Sequence, residues 1–310
     1  MEIAPATRMP SGWSRLRGAK VKRWIWAYFF ISPWVLGFLI FTAYPMVFSA
    51  FLSFTTFDFL SAPEYVGTKQ FNKMVNDELF WISLGNTAYY TFLSVPAQLV
   101  VALAMALALN QKLMGINIFR TMFYLPTVTP AVASVILFVY MYNPDYGVFN
   151  WLLGLVGAPK VSWLGDPNWS KPSLIIMSLW GVGGQMVIFL AGLQSVPVAL
   201  QEAASIDGAG VLRRFWHVTV PMITPVIFFN LVLGIISSFQ IFTAAYIATG
   251  GGPVNSTLFY VLWLYQHAFE NFRMGYAATL GWVLLAIIMI FTGIQFYTGR
   301  RWVYYEGSIT

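Results

Sequence analysis

Six stretches of this sequence, at about 27–50, 82–109, 120–142, 172–195, 222–247 and 275–298, are almost wholly apolar. Their interiors hold no Asp, Glu, Lys, Arg or His, and Arg120 stands at the first position of the third. About 20 apolar residues suffice to cross the hydrocarbon core of a bilayer. Inside that core no water meets the backbone, so a single segment of this length can satisfy its own N–H and C=O groups only as a helix. The expected fold is therefore an all-α membrane protein with six transmembrane helices. Composition agrees: 58% of the 310 residues are hydrophobic and 9% are charged, against about 25% charged in a soluble domain.

The connecting segments set the orientation. With the N-terminus inside, the inner segments carry 12 of the 17 Lys and Arg, and seven of the 11 acids fall outside. The excess of basic residues in cytoplasmic loops then places both termini in the cytoplasm. The same rule accounts for the net charge of +6. Nucleic acid is not an expected partner, because the basic residues form no stripe on a soluble unit. Met1 to Trp24 reads as a mobile basic tail beside anionic lipid headgroups. The first apolar run is long enough to be retained as a span rather than cleaved as a signal.

Pro33, Pro45, Pro96, Pro126, Pro130 and Pro225 fall in or near the spans, where neighbouring helices can satisfy the freed backbone groups. Ala102 to Ala108 and Gly181 to Gly184 supply small residues for close helix packing. In the outer loops Trp81, Trp151, Trp163 and Trp169 are expected in an interfacial aromatic belt.

Several chemistries are excluded. Charge-free spans leave a proton- or ion-coupled carrier without its relay. No phosphate-binding G-x-x-x-x-G-K-S/T is present. There is no Cys, and the two His lie 50 positions apart, at 217 and 267. No thiol or metal site and no catalytic set follows from them. Such a passage must borrow its energy.

The polar stretch 201–221, QEAASIDGAGVLRRFWHVTVP, interrupts the apolar pattern between the fourth and fifth spans. Gln201 to Asp207 has helix-forming residues, with Glu202 expected near the helix start, where the dipole favours an acid. Gly208 and Gly210 stop the helix. Leu212, Phe215 and Trp216 then share an apolar face of a second short helix. Small Ala203 and Ala204 would let a foreign surface approach the backbone.

Glu202-Ala203-Ala204, three residues, Gly208, nine residues, then Val218-x-Val220-Pro221 resembles the EAA signature of permease subunits in bacterial ABC importers. Leu190 to Gln194, Val196-Pro197, Thr249 to Pro253 and Arg301 to Tyr304 are similar to the carbohydrate-uptake branch, the maltose and glycerol-phosphate permease relatives. Val218 and Val220 depart from the Ile and Leu of the signature but remain aliphatic.

The resemblance implies a cytoplasmic tail at 1–24, a six-helix permease domain at 25–300 in the bacterial inner membrane, and a cytoplasmic tail at 301–310. It implies a non-catalytic subunit that passes a sugar across the membrane. Glu202, Ala203, Ala204, Asp207 and Gly208 would form the coupling helix. Its partners would be a second, homologous permease, two cytoplasmic ATPase subunits and an extracytoplasmic sugar-binding protein. ATP and Mg would sit on the ATPases, with no cofactor or metal on this chain. Gly250, Gly251, Gly252 and Pro253 would touch the binding protein.

A neutral sugar needs amides, hydroxyls and rings rather than charges. Trp180, Gly184 and Gln185 on the fourth span, and Asn230, Ser237, Ser238 and Gln240 on the fifth, are the expected path residues. A glycerol-phosphate or acidic oligosaccharide substrate is the alternative for the same architecture, although no Lys or Arg serves it in the spans.

Overall fold

The computed structural model describes residues 12–58, 60–111 and 113–304, without the side chains of 12–20. The expected tail Met1 to Trp24 falls in part outside them. From Gly12 onward it is not a loose tail but helix α1 (Gly12–Phe38), which runs through a π-helical turn into α2 (Tyr44–Leu52). Residues 305–310 of the expected tail 301–310 also lie outside the described residues.

Among the described residues, three helices are long and apolar enough to cross a membrane alone: the Val21–Leu52 run, α4 (Glu78–Leu109) and α16 (Met274–Gly299). Three further crossings are available only if each of three bent pairs counts as one. The first pair is α5 (Ile116–Val128) with α6 (Ala131–Met141), bent by 97°. Pro130 has no N–H and forces Thr129 into the extended region at ψ 134°, so the helix cannot continue. The second pair, bent by 52°, comprises Pro167–Gly181, with helix α8 (Pro167–Ser178), and α9 (Gly183–Ser195). The third, bent by 66°, joins Val211–Met222 to α13 (Thr224–Phe239).

The expected fifth segment, 222–247, is corrected by this geometry. Its helix stops at Phe239, and residues 243–248 form a separate short helix. Ser237 and Ser238 bond back to the Gly234 and Ile235 carbonyls, a competition with the backbone ladder that apolar length does not register. The third and fourth segments are likewise broken rather than continuous.

The outer connections are also more ordered than their composition suggests. They contain a two-residue antiparallel ladder, Thr55–Thr56 with Glu64–Tyr65, and four short helices, among them Lys69–Val75 and Val148–Leu155. Trp163 does not join an interfacial belt. It is buried with Tyr142 and Leu174, and its indole N–H donates to Asn150 Oδ1 at 3.0 Å. The other three belt residues are exposed.

Helix α4 is the central post. Asp77 caps it by accepting the Leu79 N–H at 3.0 Å, and Glu78 lies in its first turn. Ser83, Thr87, Tyr90, Ser94, Ala102, Ala106 and Leu109 are buried at helical spacing, so one face meets the bundle along most of its length. At the elbow end it packs on α9 through Ala102, Ala106, Met186 and Phe189. In the middle Val95 belongs to one buried cluster with Ile235 and Phe239 of α13 and Leu280 of α16. At its far end Asn86 ties down the 249–258 loop by donating to the Asn255 and Leu258 carbonyls at 2.8 and 3.1 Å. Lys171 Nζ donates to the same Asn86 at 3.0 Å.

The start of α16 seats on the ladder. Thr279 Oγ1 donates to the Ser53 carbonyl at 3.0 Å, and a Cβ on Gly275 would land on the Thr55 carbonyl oxygen. We therefore expect Gly275→Ala to lower the melting temperature by the equivalent of about 1–3 kcal/mol. Gly293→Ala, in the same helix with open space around it, should leave it unchanged or raise it.

Beside this contact His267 is buried edge-on between Trp263 and Tyr276, at ring separations of 4.2 and 4.6 Å. Neither ring nitrogen finds a protein partner. Burial pushes the imidazole down to about 4, with Arg273 and Lys73 adding to the shift and Asp77 opposing it. The unfolded chain therefore binds a proton at higher pH than the folded one. Stability is complete above the ordinary value of about 6.5 and is lost as pH falls towards 4. Thermal melting should show about 2 kcal/mol less stability at pH 5 than at pH 7 from this group. His267→Phe should remove that part of the pH dependence.

Candidate functional site

The two broken pairs α5/α6 and α8/α9 meet at their breaks. Gly183 permits the contact: a Cβ there would stand 2.6 Å from both Thr127 Oγ1 and the Phe123 carbonyl. Thr127 Oγ1 in turn reaches the Gly181 carbonyl at 3.5 Å. Between them lies a cavity of about 260 Å³. Pro126, Thr127, Thr129, Ser134, Ser178 and Trp180 line it, with Phe138 and Met177 completing the wall. Phe138 meets Trp180 edge-on at 6.0 Å. Among the described residues, none that lines it is ionisable. The surface thus combines hydroxyls and two aromatic rings. That chemistry matches an uncharged ligand with hydrogen-bonding groups and apolar faces.

The expected path residues divide in this geometry. Trp180 lines the cavity, half exposed, and Gly184 stands behind Thr127, with Cβ space 3.6 Å from Thr127 Cγ2. Gln185 turns instead towards α4, its Nε2 3.5 Å from Gln98 Oε1. Ser238 is buried and donates to Thr91 Oγ1 at 3.0 Å. Asn230 is buried and donates to the Val226 carbonyl of its own helix. Ser237 and Gln240 are exposed. The residue reading did not find Thr127, Thr129, Ser134 and Ser178. A signal was present: Pro126-Thr-Val-Thr-Pro130 places two hydroxyls between two prolines in mid-span.

The elbow stands clear of the bundle. Helix α10 (Val198–Ile206) follows Pro197 and begins three residues before Gln201, so Glu202 sits mid-helix rather than in the first turn. The dipole argument therefore does not apply to it. Gly208 ends the helix at φ +76°. Its N–H bonds the Ser205 carbonyl, and the Ala209 N–H bonds Ala204 at 2.9 Å, the paired 6→1 and 5→2 closure that favours glycine. Glu202, Ala203, Asp207 and Gly208 are exposed, and Ala204 is half-buried. So are the apolar side chains around them: Ile206 is 86% exposed, Leu212 75% and Trp216 62%. Of the expected apolar face of the second helix, Phe215 is half-buried, and Leu212 and Trp216 are left uncovered by the described residues. Gln201 Nε2 donates to Thr219 Oγ1 at 2.9 Å and ties α10 to the returning limb.

At the opposite end the Gly250–Pro253 turn presents only part of itself. Gly250 is exposed, but Gly251, at φ +95°, is buried against Leu258 and Leu262. The exposed tip is Val254–Asn255. Among the described residues no group of three or more His, Asp and Glu could hold a metal ion.

Residues 98–304 match the family described as "Binding-protein-dependent transport system inner membrane component". The chain is 45% identical over 286 residues to the "Probable ABC transporter permease protein YesP" of Bacillus subtilis (strain 168), covering 91% of this chain and 92% of that one. It is 37% identical to the "Lactose transport system permease protein LacF" of Rhizobium radiobacter, over 88% and 93% of the two chains. Among solved structures, a bacterial ABC transporter that imports the acidic polysaccharide alginate matches in fold. The TM-score is 0.81, with 24% identity, 93% coverage of this chain and 99% of that one. With two-thirds of its length in the family match and close relatives along nearly all of it, this chain belongs to the inner membrane components of binding-protein-dependent transport systems, the permeases of ABC transporters.

Proposed function

We propose that this chain is the permease subunit through which an ATP-driven importer passes a neutral sugar, and that the cavity at the two helix breaks is where the sugar rests. The observation that carries the reading is the lining of that cavity: Thr127, Thr129, Ser134, Ser178, Trp180 and Phe138, with no charge. Sugar hydroxyls pair with the side-chain hydroxyls, and sugar C–H faces lie on aromatic rings. A phosphate- or carboxylate-bearing substrate would call for Lys or Arg there, and neither lines the cavity. Relatives named for lactose, for trehalose and maltose, and for arabinooligosaccharides support the sugar class.

In this reading each bent pair counts as one crossing, which makes six, and both termini lie in the cytoplasm with the elbow. The exposed Ile206, Leu212 and Trp216 around Glu202 and Asp207 form the surface that seats in an ATPase subunit. ATP and Mg belong to two such subunits, and this chain does no chemistry. Most of the Val21–Leu52 run, uncovered by the other described residues, faces lipid and a second, homologous permease. The tip at Gly250 to Asn255 meets the extracytoplasmic binding protein. Ser238, Asn230 and Gln185 shape the helix contacts beside the cavity, while Ser237 and Gln240 face the partner permease or the path.

Two measurements test this. Uptake of radiolabelled lactose, maltose and arabinooligosaccharides into cells carrying the whole importer should identify a transported sugar. Trp180→Ala and Thr127→Val should then each reduce its uptake about tenfold, as expected for one lost contact of about 1.4 kcal/mol, with partner subunits still co-purifying. Undiminished uptake by both variants would remove the sugar from this cavity. Separately, Gly208→Asp places a side chain at φ +76° and a charge on the elbow tip. Less than a tenth of the wild-type ATPase should then co-purify, and full recovery would contradict the coupling role.

A further inference from the structure

The 66° bend between the elbow limb Val211–Met222 and α13 falls at Ile223, which is fully buried. Thr224 opens α13, and its hydroxyl donates to the Pro221 carbonyl across the bend at 2.7 Å. The same oxygen accepts the Tyr304 N–H at 2.9 Å. That donor comes from the far end of the described chain, 80 residues later, after α16 has ended.

The segment 300–304 touches both sides of the bend. Above it, Trp302 meets Phe228 of α13 edge-on at 6.0 Å, and Phe228 also packs on Phe296 at 5.2 Å. Gly299 admits this approach, since a Cβ there would stand 2.8 Å from Phe228 Cε2. Below the bend, Tyr304 closes a mainly apolar cavity of about 210 Å³ with Leu200 of α10 and His217, Val218, Pro221 and Met222 of the returning limb. The segment itself is held in a turn by Trp302 and Val303 N–H groups bonded to the Gly299 carbonyl at 3.2 and 2.9 Å.

A helix break without a lateral partner is a free hinge, because a few residues can absorb the rotation. This break has one. We propose that Trp302–Tyr304 is a strap across the elbow hinge. It sets the angle between elbow and α13, and it makes α16 move with the elbow. Thr224, Trp302 and Tyr304 are positioning residues in this device. The mechanical consequence rests on the proposed function, in which a partner pushes the elbow. With the strap in place that push reaches α13 and α16 as one body; without it the push is dissipated at Ile223.

The sequence contains no Cys, so two introduced cysteines can be spin-labelled alone. The exposed positions Ser205 on the elbow, Leu233 on α13 and Ile294 on α16 give three pairs. Distances are read by pulsed electron resonance on the full chain in nanodiscs with the subunits that co-purify, any cysteines of theirs replaced by serine, without nucleotide. In the parent, all three distributions should be narrow. Thr224→Val and Trp302→Ala should each widen the Ser205–Leu233 and Ser205–Ile294 distributions at least twofold. The Leu233–Ile294 distribution should stay unchanged, and Thr224→Ser should restore the parent widths. Elbow distributions that stay narrow in both variants would overturn the strap. So would equal widening of the Leu233–Ile294 pair, since the residues would then merely hold two helices together. Absence of a co-purifying ATPase would count against the proposed function and leave this readout intact.

Discussion

Backbone hydrogen bonding in a solvent without water governs this molecule. A peptide group in hydrocarbon has to be paired within the protein, so unbroken helix is the default and any break must lie where protein or a polar cavity receives the freed groups. Three of the available crossings are broken, at Thr129–Pro130, Val182 and Ile223. Val182 and Ile223 are buried, whereas the first break, Thr127 to Pro130, is exposed along the open side of the cavity. The first two face each other, and Thr127 and the Gly181 carbonyl meet there. The third is closed by Thr224 and the Tyr304 N–H. The breaks that disturb the helices are therefore also the places where polar surface becomes available, which is why the candidate cavity and the elbow hinge both sit at them.

The rest of the bundle keeps these breaks in register. Helix α4 has no break and is capped by Asp77 at its start. Along its length it holds α9 through small residues, α13 through Val95 and Thr91, and the 249–258 loop through Asn86. Gly234 lets α13 come close, since a Cβ there would stand 3.0 Å from Val95 Cγ1. A rigid post beside three bent crossings is an arrangement in which the bent elements can pivot while the post defines the axis. The polar links along it, Gln98 with Gln185 and Thr91 with Ser238, are few. Interhelical hydrogen bonds in membranes contribute only about 0.6 kcal/mol each on average, so packing dominates and the links mainly set register.

Much of this was legible in the residues. The second and last spans, at about 82–109 and 275–298, match α4 and α16 to within a few residues, because a continuous charge-free run has no alternative in lipid. The glycine stop at Gly208 was legible because an L side chain is strained there. Trp163 was misread because its composition context, an aromatic outer loop, is the same for a belt residue and for one folded inward onto Asn150. Gln185 and Ser238 were read as path residues from their amide and hydroxyl groups within apolar spans, which does not tell which neighbour meets them; Gln98 and Thr91 do. The end of α13 at Phe239 was missed because the two serines that compete with its backbone look, in a hydropathy window, like any small residue.

Apolar length and the scarcity of charge determined, from the sequence alone, that the chain lives in lipid as helices. The EAA spacing placed it among permeases before any coordinate was known. Tertiary structure alone decided which breaks face one another, that Thr127, Ser134 and Ser178 join Trp180 around one cavity, and that Tyr304 reaches back 80 residues to Thr224. The physical reason is range. Hydrophobicity and backbone satisfaction act along a segment and are written in its own residues, whereas a cavity and a strap are relations between segments whose distance depends on how every helix between them is bent.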